Sequence, residues 1–182
     1  MGKLKRLLQS WERFIRTPWR DDVAAAQRVV FCVYDPVEER ALRSRIGEFE
    51  LATIAAGHGW QHFDLTDTFA QWLASQRYAQ KYFEKPELLG TLLPKYLEFL
   101  GNQFASFVEQ TGADGETVVA VSGVGSLFGL SKVKDVVDAF APRVSGRLLV
   151  FFPGSFENNN YRLLDGYDGW NYLAVPITAD QA

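Results

Sequence analysis

The sequence predicts an α/β fold of three layers, with a mostly parallel sheet flanked by helices. Three stretches predict it: Arg28–Tyr34 (RVVFCVY), Thr117–Gly129 (TVVAVSGVGSLFG) and Arg147–Gly154 (RLLVFFPG). Each contains a near-continuous apolar run, which reads as a central strand buried on both faces. Each run closes in turn residues, and helical periodicity separates one from the next. That is the pattern of β-α-β units, whose chemistry is expected at the strand C-termini.

At 182 residues, 47% apolar and 23% charged, the chain reads as one soluble domain spanning 1–182 with a proper core. The 14 Phe, 7 Tyr and 5 Trp favour thick layered packing and raise the chance of an apolar patch kept for a partner. A single Cys32 excludes an internal disulfide framework and fits a reducing, cytoplasmic setting. No run reaches transmembrane length, and no signal-peptide core is expected at the N-terminus. Of the net charge of −3, residues 1–20 carry +5, leaving −8 on the remainder. An acidic body argues against general nucleic-acid binding.

Residues 1–20 form an amphipathic helix. Leu4, Leu7, Leu8, Trp11, Phe14 and Ile15 make one stripe, which Thr17-Pro18 ends. The stripe reads first as packing on the body and second as a docking or membrane-surface face. After Arg28–Tyr34, Asp35 caps a helix that runs to Ala56 and stops at Gly57-His58-Gly59. Trp60–Leu65 is a short strand. His58 and His62 read as a turn residue and an ordinary strand residue. Residues 66–112 are a helical insertion broken by Pro86 and Pro94. Its second helix starts at Leu88 or Pro94 and carries Leu97, Leu100, Phe104, Phe107 and Val108 on one side. Ser131–Phe140 is a short helix, Pro153-Gly154 a tight turn, Asn158–Asn160 a polar loop, and Tyr172–Ile177 a final strand that Pro176 pushes to an edge.

A buried strand, then Ser122-Gly123-Val124-Gly125-Ser126, then a helix is the layout of a nucleotide-binding turn. The residues make it a degenerate P-loop or Rossmann-like domain at most. No Gly-Lys-Ser/Thr occurs, and Phe128 stands where the dinucleotide fingerprint needs its third glycine. Ser122 and Ser126 lack a nucleophile-elbow context and an identifiable base. Asp35 and Asp64 end strands and read as helix caps. Arg147 and Arg162 read as surface partners of Asp165 or Asp168, or of a partner's acids. No cofactor and no metal ligand set is expected.

The C-terminal third carries a more specific pattern. An apolar strand leads to Ser122-Gly123-Val124-Gly125, Phe128 and a short helix; Phe151-Phe152-Pro153-Gly154-Ser155-Phe156 follows, then Asn171-Tyr172. This resembles the BrxB family, small components of BREX bacteriophage-exclusion systems, over residues 117–177. The strand closed by Asp35-Pro36 fits the family's opening strand. Gly129 replaces the family's Pro, Lys132-Val133-Lys134 its Arg-x-His, and Asn171–Pro176 its Tyr-Tyr-Arg-Ala-Phe-Asn. The resemblance implies a non-enzymatic adaptor of a phage-defence complex. Its partners would be a PglZ-like protein and other BREX components, with DNA reached only through the complex. The candidate partner surface is Gly123, Gly125, Phe128, Lys132, Lys134, Pro153, Gly154 and Phe156, or Leu4, Leu8, Trp11 and Phe14 of the first helix. Two alternatives stand beside it. One is a degenerate nucleotide-binding or hydrolytic domain using the Ser122–Ser126 turn. The other is a DNA-contacting subunit using Lys3, Lys5, Arg6, Arg13 and Arg16.

Overall fold

A computed structural model describes residues 2–166 and 169–181. The chain is α/β, with a mostly parallel sheet between two helical layers. In chain order the main elements are α1 (Lys3–Ile15), β1 (Val29–Tyr34), α2 (Glu39–Ala55), β2 (Gly59–Asp64), α3 (Thr68–Ala74), α4 (Ala79–Glu84) and α5 (Leu93–Thr111). Then come β3 (Thr117–Ser122), α6 (Val133–Phe140), β4 (Arg147–Glu157), β5 (Asn160–Leu163), β6 (Trp170–Asn171) and β7 (Val175–Ile177). The parallel order is β2-β3-β4-β1-β7; β5 and β6 extend β4 as antiparallel strands.

The three apolar runs are the three central strands, and β1 and β3 are buried at every position. Their alternate side chains feed two cores. Val30, Cys32, Tyr34, Val118, Ala120, Leu149 and Phe151 meet α1 and α2. Phe31, Val119, Val121, Leu148, Val150 and Phe152 meet the layer of α3, α5 and α6. Asp35 accepts a hydrogen bond from the Val37 N–H at 3.1 Å, and Pro36 opens the turn into α2. Of the two possible starts for the long helix, the one beside Pro94 is used, and Tyr96, Leu100 and Phe104 form its buried stripe. Phe104 stacks on Phe140 of α6 with centroids 4.0 Å apart.

α1 is a core helix. Leu4, Leu7, Trp11 and Ile15 are buried, and the Trp11 indole N–H donates to Thr53 Oγ1 at 3.1 Å. Trp11, fully buried, is therefore not available to a partner, which corrects the docking expectation for it; Leu4 also borders a surface hollow. Leu8 and Phe14 pack at the margin of the same core.

Three further expectations are corrected. Pro153-Gly154 is no turn: β4 runs through it, and the reversal falls at Asn158 and Asn159, both at positive φ. Gly154 instead permits close strand approach, since a Cβ there would sit 2.0 Å from the Arg162 carbonyl oxygen. Directly after the glycine loop comes a single 3-10 turn at Val124–Leu127, and the short helix expected over Ser131–Phe140 is α6. The last strand is only Val175–Ile177, the part that pairs with β1; Trp170-Asn171 is a separate strand on β5. Arg147 is no surface partner. It is 8% exposed, donates to the Gly146 and Arg20 carbonyls, and lies over the Trp19 ring. Asp168 lies outside the described residues.

Truncating Trp11 to Ala removes a buried indole and the hydrogen bond that Thr53 Oγ1 accepts, while the Thr53 hydroxyl still donates to the Phe49 carbonyl. Urea unfolding is expected to show a loss of about 3–5 kcal/mol. A loss within about 0.5 kcal/mol, the range of an ordinary surface substitution, would contradict the core role of α1.

Candidate functional site

The strand C-termini converge on one end of the sheet. From β1 the chain leaves toward α2 on one face; from β3 it leaves toward α6 on the other. Open α/β sheets bind ligands in the crevice such a divergence opens. Here the crevice is about 310 Å³, bordered by Glu39, Arg43, Thr66, Gly123, Gly125 and Pro153.

Its wall is a polar network. The Tyr34 hydroxyl donates to Glu39. Arg43 donates to Glu39 at 2.7 Å and to Thr66 Oγ1 at 2.6 Å, and approaches Asp64 at 3.6 Å. Both the N–H and the hydroxyl of Thr66 donate to Asp64 Oδ1, at 2.9 and 2.6 Å. Burial pushes the Asp64 carboxyl up, but the Thr66 hydrogen bonds and the Arg43 charge outweigh it and leave the group below its usual value. Burial, then the bond to Glu39, raises the Tyr34 phenol. One arginine between two carboxylates leaves the network net negative, a poor seat for phosphate.

Gly123 fits against this network. Its φ is +77°, and a Cβ would lie 2.5 Å from Thr66 Oγ1 and 2.7 Å from Asp64 Oδ1. Only glycine suits both the backbone and the space.

Beside the network, His62 Nε2 and Ser122 Oγ are 2.7 Å apart. Sequence reasoning assigned Ser122 no base and His62 no role. The pairing comes from strand register, in which Asp64 lies opposite Ser122 and His62 two residues before it on the same face. Burial pulls the His62 imidazole below its ordinary value.

A larger cleft of about 570 Å³ lies on the other side of the glycine loop, between Phe128–Val133 and the β5–β6 hairpin. Phe128 stands at its rim, 48% exposed, with Leu163 and Trp170 lining it. The Trp170 indole nitrogen is buried and has no hydrogen-bond partner among the described residues. Lys132 is exposed at the mouth, and Asp165 faces it from the hairpin side.

The proposed site residues thus divide. Gly123, Gly125 and Pro153 border the crevice; Phe128 and Lys132 line the cleft. Lys134 pairs with Asp138 on α6 at 3.1 Å, and Tyr172 donates to the same carboxylate. Gly154 and Phe156 line a third hollow, of about 490 Å³, beside Lys3 and Leu4. Among the described residues, no group of three or more His, Cys, Asp or Glu is placed to hold a metal ion. No described helix is long and apolar enough to cross a membrane. Comparison with family models, curated proteins and solved structures returns no match.

Two outcomes are expected at this end of the sheet. Gly123→Ala should cost on the order of 1–3 kcal/mol or more in urea unfolding, from forced positive φ and the clash with Thr66; an unchanged midpoint would contradict the close fit. The second concerns pH. His62 and Asp64 both have folded values below their unfolded ones, so their contribution is full at high pH and is lost on acidification. Stability should fall below about pH 6.5 through His62 and again below about pH 4 through Asp64. His62→Gln should flatten the first fall and leave the second. An unchanged profile would show that His62 does not carry it.

Proposed function

We propose that this chain is a non-enzymatic adaptor that seats a partner protein in the cleft beneath Phe128. The observation that carries this reading is the half-exposed Phe128 ring over an aliphatic and aromatic cleft, beside the exposed Lys132. Interfaces draw their energy from a few such aromatic anchors in desolvated pockets. The BrxB resemblance supplies the setting: a BREX-type phage-defence complex in the cytoplasm, with a PglZ-like protein as the direct partner. The same stretch, residues 117–177, holds both the resemblance and the cleft. α1 is not part of this contact, since its apolar stripe is turned inward onto the core.

A second reading, a hydrolytic domain, draws on the 2.7 Å contact of His62 with Ser122. An imidazole so placed can take the serine proton. A fluorophosphonate probe separates the two readings: covalent labelling of Ser122, lost in His62→Gln, favours the hydrolase, and an unlabelled chain favours the adaptor.

The adaptor reading is tested with purified PglZ-like protein by co-elution and titration calorimetry. Binding should occur, and Phe128→Ala should weaken it by about 30-fold, the loss of an anchor worth about 2 kcal/mol. Absence of binding, or binding that Phe128→Ala leaves unchanged, would overturn it.

A further inference from the structure

The parallel sheet has two outer strands, and they are finished differently. β7 is three residues long, contains Pro176 and lies beside α1. These are devices that blunt an edge. β2 is six residues long, GWQHFD, with neither Pro nor Lys.

The backbone of β2 is half used. The Gly59 N–H donates to the Glu116 carbonyl at 3.0 Å, and the Leu65 N–H to the Ser122 carbonyl at 2.9 Å. Odd-numbered residues therefore face β3. Successive residues of a strand alternate in the direction of their backbone groups, so Trp60, His62 and Asp64 aim theirs away from the sheet. No described strand lies there. Gly59, His62 and Asp64 are exposed, and Trp60 and Phe63 are half-buried. The flank of α2 above this edge is also open. Glu50 acts electrostatically on His62, and Ile54, one turn further on the same flank, is 52% exposed.

We propose that β2 is an interface between two copies of this chain, paired antiparallel, β2 to β2, across a twofold axis at Gln61. The two sheets then run on as one.

The occupant follows from self-complementarity. A twofold axis normal to the sheet keeps each face with its like. Outward donors meet outward acceptors only where even residues oppose even residues. A centre at Gln61 meets both conditions. Trp60 of each copy opposes His62 of the other and exchanges both backbone hydrogen bonds with it. Indole on imidazole is a pairing this chain already makes, in the Trp19–His58 stack at 3.8 Å. The next permitted register, centred on His62, opposes His62 to His62, draws Glu50 toward Glu50, and sets Trp60 against the Asp64 carboxylate. Charge therefore favours the Gln61 centre over the His62 centre.

The test uses the one native thiol to advantage. Cys32 is fully buried and cannot cross-link. In the Gln61 register, residue 61 opposes its own copy in a non-hydrogen-bonded pair, with Cα atoms about 4.5 Å apart. That lies within disulfide reach. Wild-type protein should sediment as a dimer over a concentration series. Under mild oxidation Gln61→Cys should form a covalent dimer faster than His62→Cys, and faster than Ser44→Cys on the exposed surface of α2. Gln61→Lys should raise the dissociation constant about tenfold or more by opposing like charges, with an unfolding midpoint equal to wild type when both are measured dilute enough to be monomeric. A chain that stays monomeric, whatever else it binds, overturns the proposal. So does a dimer in which Ser44→Cys or His62→Cys cross-links ahead of Gln61→Cys.

Discussion

The left-handed turn at Gly123 is the constraint on which the strand-exit end of this molecule depends. Its Cα passes so close to Thr66 and Asp64 that no side chain fits between them. The exits of β2 and β3 are thereby locked together, and Arg43 reaches in from α2 to the same Thr66. The direction the chain takes next follows from this contact. Val124 and Leu127 turn into the core, and Phe128 turns out over the cleft. A side chain at residue 123 would disturb the polar network and the aromatic rim together.

Behind that end, stability rests on two cores separated by the sheet. Doubly buried strands require cover on both faces, and the chain supplies it unequally. One face is closed by only two long helices, so α1 has to bury its whole stripe there, with Trp11 wedged against Thr53. The other face is closed by aromatic stacking, with Phe63, Phe104 and Phe140 in mutual contact. The charge asymmetry of the sequence follows: with its apolar side inward, α1 must present Lys3, Lys5 and Arg16 to water.

Much of this was legible in the amino-acid order. Long β-branched runs closed by Asp35-Pro36 and Ser122-Gly123 announce central parallel strands, because burial on both faces removes the usual alternation. The Leu4–Ile15 stripe announces a helix, but periodicity alone does not say what covers it. The Pro153-Gly154 pair misleads because its local turn signal yields to tertiary pairing. Pro153 pairs with the end of β1, and Gly154 serves the approach of β5. The Arg43–Asp64–Thr66 network and the His62–Ser122 contact were not legible. Arg43 lies 21 and 23 residues before Asp64 and Thr66, and His62 lies 60 before Ser122; they meet only through the crossing of α2 and the β2–β3 register. Phe128 was legible as part of a family-like pattern. Its exposure was not.

The central claim is that a partner covers the end of the sheet where Phe128 stands. Amide hydrogen exchange of this chain, alone and with a PglZ-like protein, tests it most directly. The account predicts new protection over residues 123–133 and 160–171, with the exchange of α1 unchanged. Protection confined to α1 or to residues 79–91, or none at all, would contradict it.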